Sequence, residues 1–107
     1  MQNCSITGCS AEDGGAIYTY GTASPFMLSV RLTANTASNR GGAIFSDNSF
    51  PVITESVVNN NTASAGGGIY SQGSAPSLPT VSNTLFCANN TDHIAGGWYD
   101  DGDVTFS

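Results

Sequence analysis

The chain has 107 residues, with 13 glycines, eight carboxylates and two basic residues, and its net charge is -6 at pH 7. Nucleic acid and anionic membrane surfaces are disfavoured as partners, because both bind clustered Lys or Arg side chains and this chain has only Arg31 and Arg40. No stretch approaches the ~18 consecutive apolar residues that a membrane-spanning helix needs, so membrane insertion is not expected.

Two short motifs alternate along the chain. The first, apolar-x-x-Asn-Thr-Ala, is complete at residues 32–37 and 58–63; residues 6–11 have Cys9 in place of asparagine, and residues 87–92 end in Asp92. The second reads GGAIY, GGAIF, GGGIY and AGGWY at residues 14–18, 41–45, 66–70 and 95–99. A period of roughly 27 residues lies in the range of stacked repeat architectures and indicates about four units.

Each unit contains short apolar runs separated by turn residues, and none of the runs has the length or the periodicity of a helix. In the second unit the runs are residues 26–32 and 41–45, and residues 35–40 and 46–49 follow them as turns. Short strands with Gly- and Asn-rich corners are typical of an all-β, right-handed parallel β-helix, a solenoid whose coils pair in register. We therefore predict one domain over residues 1–107, with coils at roughly 1–24, 25–50, 51–76 and 77–107.

Residues one period apart should form columns along the coil stack. The predicted core columns are Cys4, Val30, Ser56 and Leu85; Ile6, Leu32, Val58 and Cys87; and Ile17, Ile44, Ile69 and Trp98. The residues between the first two columns, which are Ser5, Arg31, Val57 and Phe86, should face solvent. Asparagine side chains can satisfy turn amides and stack as hydrogen-bonded ladders, so Asn35, Asn61 and Asn90 are predicted to form a structural ladder.

An aromatic column follows the isoleucine column by one position and consists of Tyr18, Phe45, Tyr70 and Tyr99. If the isoleucines point inward, strict alternation places these four rings outside as a candidate binding surface. The alternative is that the rings form the core and the isoleucines face solvent. An exposed ring ladder would bind sugar rings or pack against a neighbouring molecule.

The GGAI motif, paired with apolar-x-x-Asn, resembles the repeats of the chlamydial polymorphic outer-membrane protein family and of bacterial surface proteins with pectin-lyase-like right-handed β-helices. Phe usually opens the apolar-x-x-Asn motif in that family, and Leu32 and Val58 occupy its place here. The resemblance covers nearly the whole chain and implies a surface-displayed module, often adhesive. The membrane barrel and signal peptide of that family are not among these residues, so the resemblance does not carry over autotransport.

Acidic residues near the end of the chain raise the question of catalysis. Residues 90–92 (Asn-Thr-Asp), followed by Asp100 and Asp101, are similar to the acidic motifs of polygalacturonase-type hydrolases, in which paired carboxylates act on a glycosidic bond. Residues 90–91 also read as the fourth copy of the Asn-Thr repeat, and no Gly-His-Gly element follows. We therefore expect a non-catalytic protein without cofactors, and the alternative is a polysaccharide-binding or polysaccharide-cleaving β-helix.

The turn containing Asp100, Asp101 and Asp103 is a weak candidate for Ca²⁺ binding, and a solvated acidic turn is the favoured interpretation. Asn3, Asn60 and Asn89 each begin an Asn-x-Ser/Thr sequence and are candidate glycosylation sites, with Asn60 and Asn89 in equivalent positions. A lysine-free composition rich in Asn, Ser, Thr and Gly is typical of an extracellular or cell-surface protein.

The two ends of the predicted stack look uncapped, because the first residues already belong to a coil and residues 104–107 still read as a strand. We therefore expect either a piece of a longer repeat array or a unit that stacks end to end into a filament. The odd number of cysteines leaves at least one thiol free or paired with another chain. Cys87 near one end, and Cys4 and Cys9 near the other, are candidates for such an intermolecular disulfide.

Overall fold

A computed structural model describes residues 2–21, 24–74 and 76–107, and these residues form short β-strands and no helix. In chain order the strands are β1 (Ser5–Thr7), β2 (Ser10–Asp13), β3 (Ile17–Tyr20), β4 (Phe26–Leu28), β5 (Arg31–Thr33), β6 (Thr36–Arg40), β7 (Ile44–Asp47), β8 (Val52–Thr54), β9 (Val57–Asn59), β10 (Ile69–Gln72), β11 (Thr80–Ser82), β12 (Leu85–Cys87), β13 (Ile94–Ala95), β14 (Tyr99–Asp100) and β15 (Thr105–Phe106). Within these ranges no helix could span a membrane.

Strands that lie one turn apart along the chain pair side by side, and the named pairs are all parallel. Sheet I has the order β1-β5-β9-β12-β15, sheet II β13-β10-β7-β3 and sheet III β14-β11-β8-β4, while β2 and β6 form a fourth, two-stranded sheet. Sheets of five, four and four strands mean that the described chain winds through three to four turns. The predicted parallel solenoid is thereby confirmed.

Sharp corners between the sheets are made by single residues with positive φ. One corner contains, coil after coil, Asn3 (φ 52°), Ser29 (54°), Glu55 (50°), Asn83 (46°) and Asp103 (53°). The corner after sheet I contains Gly8 (70°), Ala34 (57°), Asn60 (57°) and Ala88 (54°). A left-handed residue reverses the side-chain alternation and bends the chain at one position, which is why the strands here are short.

The glycine pair that precedes β3, β7 and β10 of sheet II has two separate backbone functions. Gly41 has a φ of +69°, which a residue with a Cβ adopts only with strain. At Gly42 a Cβ would meet the carbonyl oxygen of Gly67 in the next coil, so this position needs glycine because two backbones approach closely. Gly41 is therefore required by its φ and Gly42 by the close approach of the next coil.

The core lies between the three sheets and is built from register columns. Ile17, Ile44, Ile69 and Ile94 are partners in sheet II, and Ile6, Leu32, Val58 and Phe86 are partners in sheet I. The two middle members of each column are at most 1% exposed: Leu32 and Val58 in sheet I, and Ile44 and Ile69 in sheet II. The prediction that Trp98 ends the isoleucine column is wrong, because Ile94 takes that place.

The predicted register of the fourth coil is wrong by one position. Phe86, predicted to face solvent, pairs with Val58 and is completely buried, whereas Leu85 pairs with Val57 on the outer side and is 38% exposed. Cys87 pairs with Asn59 and is only half-buried. The reason is volume: the phenylalanine ring fills the core column more completely than a thiol.

Candidate functional site

Three of the four predicted rings stack on the outer side of sheet II. The ring centroids of Tyr18 and Phe45 are 4.9 Å apart, and those of Phe45 and Tyr70 are 5.6 Å apart with parallel planes. These residues are register partners, so the sheet itself sets the ring spacing. Ile44 and Ile69 are fully buried on the opposite side. The isoleucines are therefore the core, and the alternative with an aromatic core is wrong.

Tyr99 does not belong to this column. It lies in β14 and pairs with Thr80 in sheet III, while the position beyond Tyr70 is taken by Ala95. The step from Phe45 to Tyr70 and the step from Tyr70 to Ala95 are the same length, so the sheet II column keeps its period in the last coil. Tyr99 was placed in this column only because residues 95–99 resemble the GGAIY motif.

Phe45 points away from the core but is only 1% exposed, so it is not part of an open binding surface as predicted. Tyr18 and Tyr70 cover its two faces. The guanidinium carbon of Arg40 lies 4.5 Å from the Phe45 ring centroid and 5.5 Å from that of Tyr70. The guanidinium of Arg40 therefore makes cation–π contacts with both rings.

Arg40 is fixed by polar partners from the coils on either side. Its Nε and Nη2 donate to Oδ1 and Oδ2 of Asp13 at 3.2 and 3.4 Å, and its Nη1 donates to Oε1 of Gln72 at 2.7 Å. The hydrogen bond with Asp13 raises the pKa of Arg40 above its ordinary high value, so the guanidinium stays charged. This group joins three successive coils on the outside of sheet II.

Tyr20 is the most exposed ring of this region, and the four-ring column predicted from the sequence does not include it. It is 70% exposed, Tyr18 is 49% exposed, and their ring centroids are 6.0 Å apart at an interplanar angle of 65°. Tyr18 lies at the end of the three-ring stack, so Phe45 covers one of its faces and Tyr20 meets it in an edge-type contact. We call the group of Tyr18, Tyr20, Arg40, Tyr70 and Gln72 the Tyr–Arg surface.

The asparagine ladder consists of Asn35, Asn61 and Asn89. Asn35 donates to Asn61 Oδ1 from its backbone N (2.9 Å) and Nδ2 (3.1 Å), and Asn61 donates to Asn89 Oδ1 in the same way (3.1 and 3.0 Å). Asn35 and Asn61 are fully buried. The prediction that Asn90 completes the ladder is wrong: Asn90 is exposed, because the burial of Phe86 brings Asn89, the third position after it, to the ladder.

Asn89 is also a poor glycan acceptor in the folded chain. It is 8% exposed, and its Nδ2 donates to Val58 O at 2.8 Å. Its ladder partner is Asn61 and not Asn60, so the predicted equivalence of Asn60 and Asn89 is wrong. Asn3 and Asn60 are exposed at positive-φ corners. Of the three candidate glycosylation sites, these two are sterically available.

The acidic turn of the last coil is organised by its own backbone. Asp100 Oδ1 accepts a hydrogen bond from Gly102 N at 2.9 Å, and Asp100, Asp101 and Asp103 are all exposed. Within residues 2–21, 24–74 and 76–107, no three His, Cys, Asp or Glu side chains are grouped as a metal site would require. Cys4, Cys9 and Cys87 are present as free thiols.

Of three comparisons with known proteins, the one with protein-family models gives a match. No curated protein and no solved structure matches the chain. The family model described as "Right handed beta helix region" matches residues 1–106, which is nearly the whole chain. The β-helix part of the sequence resemblance is thereby confirmed, and the chain belongs to the right-handed β-helix family.

Proposed function

We propose that this chain is a non-catalytic structural and adhesive module of an extracellular or cell-surface protein. The observation that carries the proposal is the Tyr–Arg surface, in which exposed rings are mounted on a rigid sheet and braced by an arginine network. Exposed tyrosines on a rigid scaffold give contact area at a small cost in conformational entropy. The resemblance to chlamydial polymorphic outer-membrane protein repeats supports the same placement on a cell surface.

Two side chains that could serve in acid–base chemistry, His93 and Asp13, have structural partners, which supports a non-catalytic function. His93 Nδ1 is 3.2 Å from Asn89 Nδ2, and its ring stacks on Phe106 with centroids 5.4 Å apart. Asp13 is held by Arg40. Neither side chain is therefore placed as a free acid or base beside a polymer chain. Incubation with polysaccharides should release no new reducing ends.

Adhesion is tested with microspheres that carry the purified chain, applied to cell monolayers and to immobilised polysaccharides. Retention should fall when Tyr18 and Tyr20 are both replaced by serine. Tyr99→Ser is the matched control, because Tyr99 is 41% exposed but lies in sheet III, away from the Tyr–Arg surface. Equal retention of all three preparations would contradict the proposed surface.

Carbohydrate binding is a second candidate function, and the exposed rings of Tyr18 and Tyr20 favour it, because sugar rings stack on aromatic side chains. A neutral polysaccharide suits the site better than an anionic one, because the net charge is -6 and the Arg40 donors are occupied by Asp13 and Gln72. Affinity electrophoresis in gels containing a neutral or an anionic polysaccharide tests this. Retardation only in the neutral gel, lost in Tyr18→Ser, is the expected result.

Self-association is a further part of the proposed adhesive function. In the described residues, β1 and β3 stand at the edges of sheets I and II and pair on one side only. An unpaired edge presents N–H and C=O groups to another strand, either from a neighbouring repeat of a longer protein or from another copy of this chain. Sedimentation velocity over a range of concentrations detects such association.

A further inference from the structure

A trough runs along the flank of the coil stack, at the corner between sheets III and I. Each coil contributes three successive residues to it: a positive-φ corner residue, a floor residue and the first outward residue of sheet I. From coil to coil these triplets are residues 29–31, 55–57, 83–85 and 103–105. Two cavities, of about 210 Å³ and about 450 Å³, lie along them, and Glu55 lines both. They therefore form one continuous depression.

The trough is open because of the coil geometry and not because of where the chain begins or ends. Its central triplets belong to β5, β9 and β12 and the corners before them, and these strands have a neighbouring strand on each side in sheet I. The trough runs in the direction in which coils follow one another, so a coil added at either end would lengthen it and would not cover it. All of its residues lie in the described part of the chain.

The two walls of the trough differ in chemistry. The corner wall carries exposed polar side chains, which are Ser29, Glu55, Asn83 and Asp103. The opposite wall is the outer column of sheet I, in which the aliphatic residues Val57 and Leu85 lie between Arg31 and Thr105. Leu85 is 38% exposed. A ligand in the trough would therefore meet carboxylates on one side and aliphatic side chains on the other.

The carboxylates of the corner wall are unpaired. Among the residues that the structure describes, the side chains of Glu55 and Asp103 form neither a hydrogen bond nor an ion pair. Arg31 lines the smaller cavity together with Glu55 but makes no ion pair with it. Two uncompensated carboxylates on a chain of net charge -6 attract a cationic ligand. Arg31 repels cations at its own end of the trough, so the cationic part of the ligand belongs between Glu55 and Asp103.

We propose that this trough binds an extended segment of a partner protein in which basic and aliphatic residues alternate. Successive side chains of an extended segment point to opposite sides, so one side faces the carboxylates while the other packs on Val57 and Leu85. Basic residues on one side are about 7 Å apart, and Glu55 and Asp103 are two coil steps, or about 10 Å, apart. The flexible stem of lysine spans that difference.

A peptide fits the trough better than a carbohydrate does. None of the residues that line the two cavities is aromatic, so the trough lacks the ring faces on which sugars stack. The trough also lies on sheet I and its corner, whereas the Tyr–Arg surface lies on the outer side of sheet II. This inference therefore goes beyond the proposed adhesive function and concerns a separate surface.

Fluorescence polarisation with synthetic peptides tests the proposal. The probe is a fluorescein-labelled hexapeptide of alternating lysine and valine with both ends blocked. The comparison peptide has the same composition, but all its lysines precede all its valines. Because only the alternating peptide presents its charges to one wall and its aliphatic groups to the other, the chain should bind it severalfold more tightly.

Variants of each wall sharpen the test. The double variant Glu55→Gln, Asp103→Asn should weaken binding of the alternating peptide by about three- to tenfold, as the loss of two exposed ion pairs implies. The matched control is Glu12→Gln, Asp92→Asn, which removes two exposed carboxylates outside the trough and should keep most of the affinity. Leu85→Ser should abolish the preference for the alternating peptide. Circular dichroism confirms that all the variants fold.

Four results would overturn the proposal. Equal weakening in the two double variants would show only a general attraction between a cationic peptide and an acidic chain. Equal affinity for the two peptides would contradict the opposed walls, and no binding at millimolar peptide would exclude the site. Displacement of the peptide by a neutral polysaccharide would make the trough a carbohydrate site instead.

The tyrosine variant separates this inference from the proposed function. The chain with both Tyr18→Ser and Tyr20→Ser should bind the alternating peptide unchanged while it loses retention in the microsphere assay. Loss of peptide binding in that variant would place the peptide on the Tyr–Arg surface and refute the trough. Peptide selectivity in a chain that adheres to neither cells nor polysaccharide would refute the adhesive function alone.

Discussion

Replacing Asn61 by alanine should be among the most destabilising single changes in this chain. Asn61 is fully buried at the centre of the ladder, and its Oδ1 accepts from both the backbone N and Nδ2 of Asn35. Its Nδ2 donates to Leu32 O at 3.0 Å and to Asn89 Oδ1 at 3.0 Å. Alanine leaves the backbone N of Asn35 without an acceptor, leaves Asn35 Nδ2 with Ile6 O alone, and removes the Nδ2 donor from Leu32 O.

Each buried polar group that loses its hydrogen-bond partner costs about 1–3 kcal/mol, so Asn61→Ala should lower the free energy of unfolding by about 3–5 kcal/mol. For a chain of this length that corresponds to a Tm lowered by roughly 15 °C or more. Circular dichroism during urea and thermal unfolding measures the change. The matched control is Asn90→Ala, since Asn90 is exposed and outside the ladder, and it should change stability by less than about 0.5 kcal/mol. Similar losses in the two variants would refute the ladder assignment.

Four further changes test other parts of the fold, each by urea unfolding. Gly42→Val forces a side chain against the carbonyl of Gly67 and should cost about 3 kcal/mol, so an unchanged midpoint would contradict the close approach of coils. Ser71→Ala removes a buried hydroxyl that has no partner among the described residues and should stabilise by about 1 kcal/mol, whereas Ser46→Ala breaks a 3.0 Å bond with Ser49 and should destabilise by a similar amount. Ala34→Gly relieves a φ of +57° and should stabilise by about 0.5–1 kcal/mol, and a loss of stability would show that this corner is not strained.

The repeat period is enough to predict the parallel coils, the isoleucine column and the glycine corners. Successive coils pair in register, so each of these features recurs at the same position in neighbouring coils. The predicted fourth coil is wrong because two ambiguities coincide there. Phe86 and Cys87 are both apolar, and Asn89 and Asn90 both suit a ladder, so spacing alone cannot choose between the two registers. The choice is made by core volume, since the Phe86 ring fills the column beside Val58.

The Tyr–Arg surface is only partly predictable for a related reason. Alternation gives the outward direction of Tyr18, Phe45 and Tyr70, but it cannot show that neighbouring rings and Arg40 bury Phe45. One signal is present in the sequence: Asp13 and Arg40 each directly precede a Gly-Gly motif, so opposite charges occupy the same column in successive coils. Gln72 requires the three-dimensional arrangement, because it reaches Arg40 from another column.

The equal spacing of the first three sheet I strands has a consequence for how such a chain can change length. Ser5, Arg31 and Val57 are register partners separated by two equal steps along the chain, and every column of this sheet keeps its phase across both steps. A tandem duplication of one such segment would insert a whole coil while preserving the hydrogen-bonded ladder and the apolar columns. An insertion of any other length must be absorbed in a surface loop. The stack can therefore lengthen in register only by whole coils.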